Sequence, residues 1–356
     1  MINIAPNSSP HTRVNTAVAD IMRTVIVALL PATLMGIYAF GWCAFNLLII
    51  SLVSSLAFEY GCLKLAEKDP LPILRDNSAL LTGWLVAMTL PPSAPWWIAV
   101  VGAGMAIILG KQVYGGLGQN LFNPAMLARV ALLISFPVEM TTWANVNPLF
   151  SENSASFSEA LSITFGGLKN IDANTGATVL GYVKTEFSLQ HYLPDTLKGY
   201  YQPADALIGL RRGSLGETSS LLILLGGGYL LYKKVITWHI PVALILSITL
   251  LSSVFYLIDS SRYLSPLVHL TSGAVILTAF FLATDYVTSP NTPIGQLIFG
   301  AGCGLLIFVI RSWGGYPEGT GFAILLMNSV TPLIDHYIRP RIYGRDKKGR
   351  PLESGK

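Results

Sequence analysis

About ten apolar runs recur along this 356-residue chain, and most are long enough to cross a bilayer, which takes roughly 17–25 residues of helix. They fall near residues 21–41, 43–64, 78–90, 96–111, 123–138, 219–233, 237–258, 267–285, 294–311 and 320–337. Two of them, 78–90 and 123–138, are short for a full span. In hydrocarbon every backbone amide and carbonyl has to be satisfied within the protein, so runs of this kind form helices. Only 12% of the residues are charged, about half the share of a soluble domain. The chain therefore reads as an all-α polytopic membrane protein.

Orientation follows from lysine and arginine placement, which favours the cytoplasmic side. Arg13 and Arg23 precede the first run, Lys64, Lys68 and Arg75 follow the second, and Lys111, Lys233, Lys234 and the tail "RPRIYGRDKKGR" fall on the same side. The short loops "PPSAPWW" and "DSSRY" face the other way and hold almost no basic residues. Both termini are then cytoplasmic, and residues of about 138–218 lie outside. The net charge of +4 is an orientation signal for a lipid bilayer rather than a nucleic-acid surface. Cys43, Cys62 and Cys303 sit in apolar runs without metal or redox spacing, and read as buried thiols.

An internal repeat refines the architecture. Leu81, Thr82, Ala87, Ser93 and Gly104 match Leu277, Thr278, Ala283, Ser289 and Gly300 at one constant offset. Five helices in each half, an odd number, make the halves cross in opposite directions, the inverted-repeat plan of many transporters. The expected organisation is a five-helix repeat over 1–137, an outer segment over 138–218, a second five-helix repeat over 219–338 and a basic tail over 339–356.

Polar groups in or beside the spans carry the functional candidates. Asp285 ends an apolar helix in "FFLATDYVTSPNTP", either as part of an ion path or as an interfacial helix end. Glu59 and Arg129 are expected to pair with other helices, Arg311 to be interfacial, and Trp96 and Trp97 to anchor at the membrane surface. "GGLGQNLFNPAM" breaks a helix and restarts it near Asn123-Pro124, as a re-entrant turn or as backbone lining a polar cavity. Asp335-His336 reads as a polar helix end. In the outer segment, Thr175-Gly176-Ala177-Thr178 is an ordinary turn or a modification site. There is no P-loop, zinc motif, nucleophile elbow or dinucleotide fingerprint; no catalytic residue or metal ligand is assigned.

Taken together, "TGWLVAMTLPP", "YGGLGQNLFNPAMLARV", "NTGATVL", "GSLGETSSLLILLGG", "FFLATDYVTSPNTPIGQLIFG" and "GGYPEGTGFAILLMNSVTPLID" resemble the NqrB/RnfD family of membrane proteins. Its RnfD branch belongs to the Rnf (Rsx) electron-transport complex, and its NqrB branch, a close relative, to the sodium-pumping NADH:quinone oxidoreductase. The resemblance is to the RnfD branch and runs from "SPH" at Ser9 to the tail. It implies an ion-translocating oxidoreductase subunit of the bacterial inner membrane, working with Rnf subunits A, B, C, E and G. It also implies FMN joined by a phosphoester to the last threonine of Ser/Thr-Gly-Ala-Thr, here Thr178, by a separate flavin transferase. A second, non-covalent flavin is a further expectation, without assigned residues. "GSLGETSS" matches another family motif, in which Glu217 is expected to cap the sixth helix. The rival readings are an NqrB-like part of the quinone reductase, a urea-channel-like solute transporter and a structural scaffold.

Overall fold

The computed structural model describes residues 17–152, 154–167, 175–189, 197 and 200–339. Arg13, the opening "SPH" and the tail beyond Arg339 lie outside the described residues. The first half consists of α1 (Val18–Phe40), α2 (Trp42–Leu65), the short α3 (Pro70–Leu74), α4 (Ser78–Thr89), α5 (Trp96–Gly104) and α6 (Pro124–Ser135). Helix α5 runs on without a break into a π-helical stretch, Met105–Gln112. A connecting segment follows, with α7 (Pro137–Thr141), β1 (Trp143–Ala144), α8 (Phe157–Gly166), β2 (Thr175–Gly176), α9 (Val179–Ser188) and α10 (Pro203–Ile208). The second half holds α11 (Ser220–Tyr232), α12 (His239–Ile258), α13 (Pro266–Thr271), α14 (Val275–Leu277), α15 (Pro293–Trp313) and α16 (Thr320–Tyr337). A second π-helical stretch, Thr278–Leu282, continues α14.

The protein is an all-α polytopic membrane protein. Helices α1, α2, α12 and α15 are each long and apolar enough to span a bilayer, and α4, α5 with its continuation, α6 and α11 are shorter apolar helices. Local chemistry sets their ends. Gly41, at φ 73°, reverses the chain between α1 and α2. Asn123 caps α6, accepting from the amides of Ala125 and Met126 at 3.1 and 3.2 Å, with Pro124 supplying the first helical residue. Thr292 and Pro293 do the same for α15.

Small residues let the helices close on one another, as they do inside membranes. A Cβ on Gly226 of α11 would collide with the Ala28 carbonyl of α1. Gly300 and Gly304 of α15 sit over the carbonyls of Ile240 and Leu244 of α12, where an added Cβ would stand 2.6 and 2.7 Å from the oxygens. A single apolar core, including Leu29, Met88, Ile98, Leu132, Phe299 and Ile324, runs through both halves.

The two halves share one element order. Pro70 and Pro266 open the short helices α3 and α13, and Pro124 and Thr320 open α6 and α16. Each pair stands at the same sequence offset as Leu81 and Leu277. Helix α1 packs on α11 and α6 on α16, so helices meet their own counterparts, as a two-fold relation between halves requires. The π-helical stretches break this relation, because they fall at non-equivalent places.

Candidate functional site

The connecting segment sits at the C-terminal end of α1, where the amides of Asn147 and Leu149 donate to the carbonyls of Ala39 and Tyr38 at 3.1 and 2.8 Å. Thr178 is held in this segment from three directions. Trp143 and Ala144 pair antiparallel with Gly176 and Thr175. The Tyr200 hydroxyl donates to the Ala177 carbonyl at 2.6 Å, and its ring stacks on Tyr182 at 4.1 Å. Helix α9 docks Val179, Leu180 and Val183 against Leu264 and Val268. The opposite flank of α9 carries Lys184, which donates to the carbonyls of Gly314 and Tyr316.

Thr178 is the N-cap of α9. Its Oγ1 accepts from the Gly181 amide at 3.1 Å, and the residue is half-buried at the wall of a cavity of about 220 Å³. A helix N-terminus presents free amides and a partial positive charge, which suits an anionic group. Arg129, Arg211 and Arg212 line the same cavity, and Trp143, Tyr316 and Phe322 add aromatic wall. The Arg129 guanidinium lies 5.8 Å from the centre of the Trp143 ring. Gly176 backs directly onto Arg212: a Cβ there would run into the guanidinium. The motif glycine thus leaves the arginine free to lie beside Thr178.

Two carboxyls lie deeper. Glu217 accepts from the Ser214 hydroxyl at 2.9 Å and is in hydrogen-bonding contact with Glu318. Burial first, and then the Glu318 carboxylate, push Glu217 up to about 8, with Arg129 opposing. Glu318 accepts from the Ala274 amide at 2.5 Å and lies 3.6 Å from Arg311. Gly273, at φ 70°, is packed against Glu318 where a side chain would collide. Arg211 donates to the Glu217 carbonyl at 3.2 and 2.8 Å through Nε and Nη2, and burial holds its guanidinium below its ordinary value. Its Nη1 is buried with no partner among the described residues, as is the Ser272 hydroxyl on the cavity wall. Unpaired buried donors are costly, and here they point to a polar ligand.

Several sequence expectations change at this site. Glu217 does not cap the sixth long helix, α11; Ser219 does, accepting from the Leu222 amide at 3.2 Å, because Glu217 is turned inward to Ser214 and Glu318. Arg311 is buried, 8% exposed, since it satisfies the carbonyls of His269 and Ser272 at 2.7 and 2.9 Å where the chain breaks between α13 and α14. Arg129 has no carboxylate in ion-pair contact among the described residues and instead lies against Trp143 and the Met140 sulfur. Arg211, Arg212 and Glu318 carry no role in the sequence reading. Their signal is the "RRG" that precedes "GSLGE" and the "YPEG" that precedes α16, which meaning only the fold supplies.

A second polar cluster occupies the other end of the molecule, near the start of α1. About 35 Å separates the ends of that 23-residue helix at 1.5 Å per residue. Asp285 is half-buried there, accepting from the Thr288 hydroxyl at 3.0 Å, and lines a cavity of about 90 Å³ with Asn120, Asn123, Ser78 and Lys111. The Asn123 side chain donates to the Leu282 carbonyl at 3.0 Å, and its amide donates to Asn328 at 3.1 Å. The break in "GGLGQNLFNPAM" therefore clasps the end of the π-helical turn in the other half. Lys111 is no loop-end charge: it is 2% exposed and bonded to Glu59. Trp96 is exposed, whereas Trp97 packs on Phe136 at 4.9 Å. The Asp335 carboxylate accepts from the Asn291 amide and side chain at 3.1 Å, a polar helix end. No group of three metal-ligating side chains occurs among the described residues.

Comparison with known proteins gives one consistent match. The family described as NQR2, RnfD, RnfE covers residues 5–344. The chain is 50% identical over 347 residues to the D subunit of the ion-translocating oxidoreductase complex of Halorhodospira halophila, spanning 98% of this chain and 97% of the relative. It is 52% identical over 343 residues to the protein of the same name in Stutzerimonas stutzeri, spanning 96% and 97%. The identity to the Rhodobacter capsulatus protein of that name is 46% over 305 residues, 86% of this chain and 85% of the relative.

Proposed function

The chain belongs to the NQR2, RnfD, RnfE family, and from that premise we propose that it is an inner-membrane subunit of an ion-translocating oxidoreductase complex, with FMN joined by a phosphoester to Thr178. It relays electrons within that complex, coupled to movement of Na⁺ or H⁺, and depends on the other Rnf subunits for their entry and exit.

The observation that carries this reading is the setting of Thr178. A nucleophilic hydroxyl stands at a helix N-terminus, beside two arginines and an aromatic-walled cavity whose buried donors lack partners. These residues fit a phosphorylated aromatic cofactor. Arg212 and the first-turn amides of α9 would neutralise its phosphate, and Trp143, Tyr316 and Phe322 would flank its ring. FMN, when bound, supplies one- and two-electron redox chemistry. The chain's own part is to tether the group at Thr178, keep bulk water from one side of it and set the charge around it with Arg129, Arg211, Glu217 and Glu318. The flavin transferase then acts on the face that carries the connecting segment, which the basic-residue pattern puts in the periplasm.

Covalent attachment is directly measurable. With the transferase present, the denatured chain is expected to fluoresce under ultraviolet light and to carry the mass of an FMN ester on the peptide containing Thr178. Thr178→Ala should remove both signals and most electron flow through the complex. A wild-type band without fluorescence would support the channel reading, and unchanged electron flow in Thr178→Ala would support the scaffold reading.

A further inference from the structure

Glu59 and Lys111 form a buried ion pair, Nζ to Oε1 at 2.7 Å, with 0% and 2% side-chain exposure. Taking two charges out of water costs several kcal/mol per ion and is offset only when the remaining polar atoms find partners. Here they do not. Glu59 Oε2 is buried without a donor, and the Ser55 hydroxyl, one turn earlier on α2, is also buried without a partner. One further turn back, Ser51 donates to the Gly83 carbonyl of α4 at 2.7 Å. Residues four apart share a helix face, so Ser51, Ser55 and Glu59 make one polar stripe, each 0% exposed. Gly83 lets α4 close over it: a Cβ there would stand 2.5 Å from the Ser55 hydroxyl.

Lys111 connects this stripe to water. It also donates to the Ser78 hydroxyl at 2.7 Å, which in turn donates to Asp76 at 2.5 Å. Lys111 and Ser78 line the cavity that holds Asp285, and Glu59 lies behind them. The lysine is carried by the π-helical stretch, a deviation that recurs at functional positions in helices. The other titratable neighbours are Asp76 at the start of α4, reached through Ser78, and Cys62 on α2 itself.

We propose that Glu59 is an exchange site for a monovalent cation: Lys111 is its resting counter-charge, and a proton or sodium ion arriving through the cavity takes the place of the lysine ammonium on the carboxylate. This rests on the reading of the chain as an ion-translocating subunit. In the proton case, a hydronium ion in the cavity gives its proton to Glu59 Oε2 and leaves as water, while Lys111 keeps its own proton. In the sodium case, Glu59 Oε2 and Ser55 Oγ are the first ligands, completed by water. Either way the cation cancels a charge that the bilayer interior penalises, and the lysine is released towards the cavity.

The test uses the assembled complex in sealed vesicles, with flavin fluorescence on the chain scored in the same preparation. Electron-transfer rate is followed against Na⁺ at fixed pH, and against pH without Na⁺. Glu59→Gln is expected to lower the ion-stimulated rate at least about tenfold while fluorescence is retained. Lys111→Met should lower the half-saturating cation concentration about tenfold, because the competing ammonium is gone. The axis along which that shift occurs distinguishes sodium from proton. Unchanged ion dependence in either variant overturns the proposal. Should the single variants fail to assemble, the Glu59→Gln/Lys111→Met double variant removes both charges together. Assembly with lost ion stimulation supports the exchange site; assembly with wild-type stimulation makes the pair a structural clamp and overturns it. If the double variant also fails to assemble, Ser55→Ala decides, by a several-fold rise in half-saturation or by none. Absence of fluorescence in the wild type would count against the flavoprotein reading alone, leaving the ion measurements to be judged separately.

Discussion

Gly176 matters through the space it leaves. An alanine there pushes its methyl group into the Arg212 guanidinium, and because that guanidinium is the far end of a flexible side chain, the arginine can swing aside. Gly176→Ala should therefore keep the fold and its thermal stability within about 1 kcal/mol, yet lower flavin attachment several-fold; labelling equal to wild type would detach Arg212 from the site. Glu217 gives a second residue-level expectation. Its folded value near 8 lies above the ordinary 4.5, so the folded state holds a proton that the unfolded state releases. Its contribution to stability is complete below about pH 4.5 and is lost as pH rises through 8. Glu217→Gln should flatten the fall of the unfolding temperature across that window; an unchanged slope would locate the pH dependence elsewhere. The hydroxyl of Thr178 was legible in the sequence only through family resemblance. Arg212, Glu217 and Glu318 come from three separate stretches, and only their convergence gives them meaning.

At the scale of elements, hydropathy located the apolar helices well, since α1, α2, α4, α5, α6, α11, α12, α15 and α16 start within a few residues of the runs that announced them. What hydropathy missed is how helices are interrupted. Residues 267–285 look like one run, but the chain breaks between α13 and α14, where Gly273 takes a positive φ, and then continues as the π-helical turn. Each interruption frees carbonyls, and each is answered by a distant side chain: Arg311 at His269 and Ser272, and Asn123 at Leu282. No local pattern encodes such pairings. Asp285 stands just beyond the second interruption, half-buried on the cavity wall. Placed in the ion path, it should not tolerate neutralisation: Asp285→Asn is expected to reduce ion-coupled electron transfer at least about tenfold while Thr178 labelling persists. Full coupling in the assembled variant would reduce Asp285 to a helix end held by Thr288.

For the whole molecule, the shared element order makes a sharper demand than the count of helices. If the halves are inverted across the bilayer, residues equivalent under the repeat must face opposite compartments. Lys64, after α2, and Ser260, after α12, are such a pair, at the same offset as Leu81 and Leu277, and both are exposed. The charge pattern assigns them independently: Lys64 belongs to a loop with Lys68 and Arg75, whereas Ser260 lies in the almost neutral "DSSRY". Cys43 and Cys303 are buried and Cys62 is half-buried, so replacing Cys62 by serine leaves a quiet background for single-cysteine labelling. In intact cells Ser260→Cys should react with a membrane-impermeant maleimide, and Lys64→Cys should react only after permeabilisation. Reaction of both from one side would replace the inverted arrangement with a parallel one. The cavities at Thr178 and Asp285 would keep their separation along α1, but the compartment assigned to each would have to be argued anew.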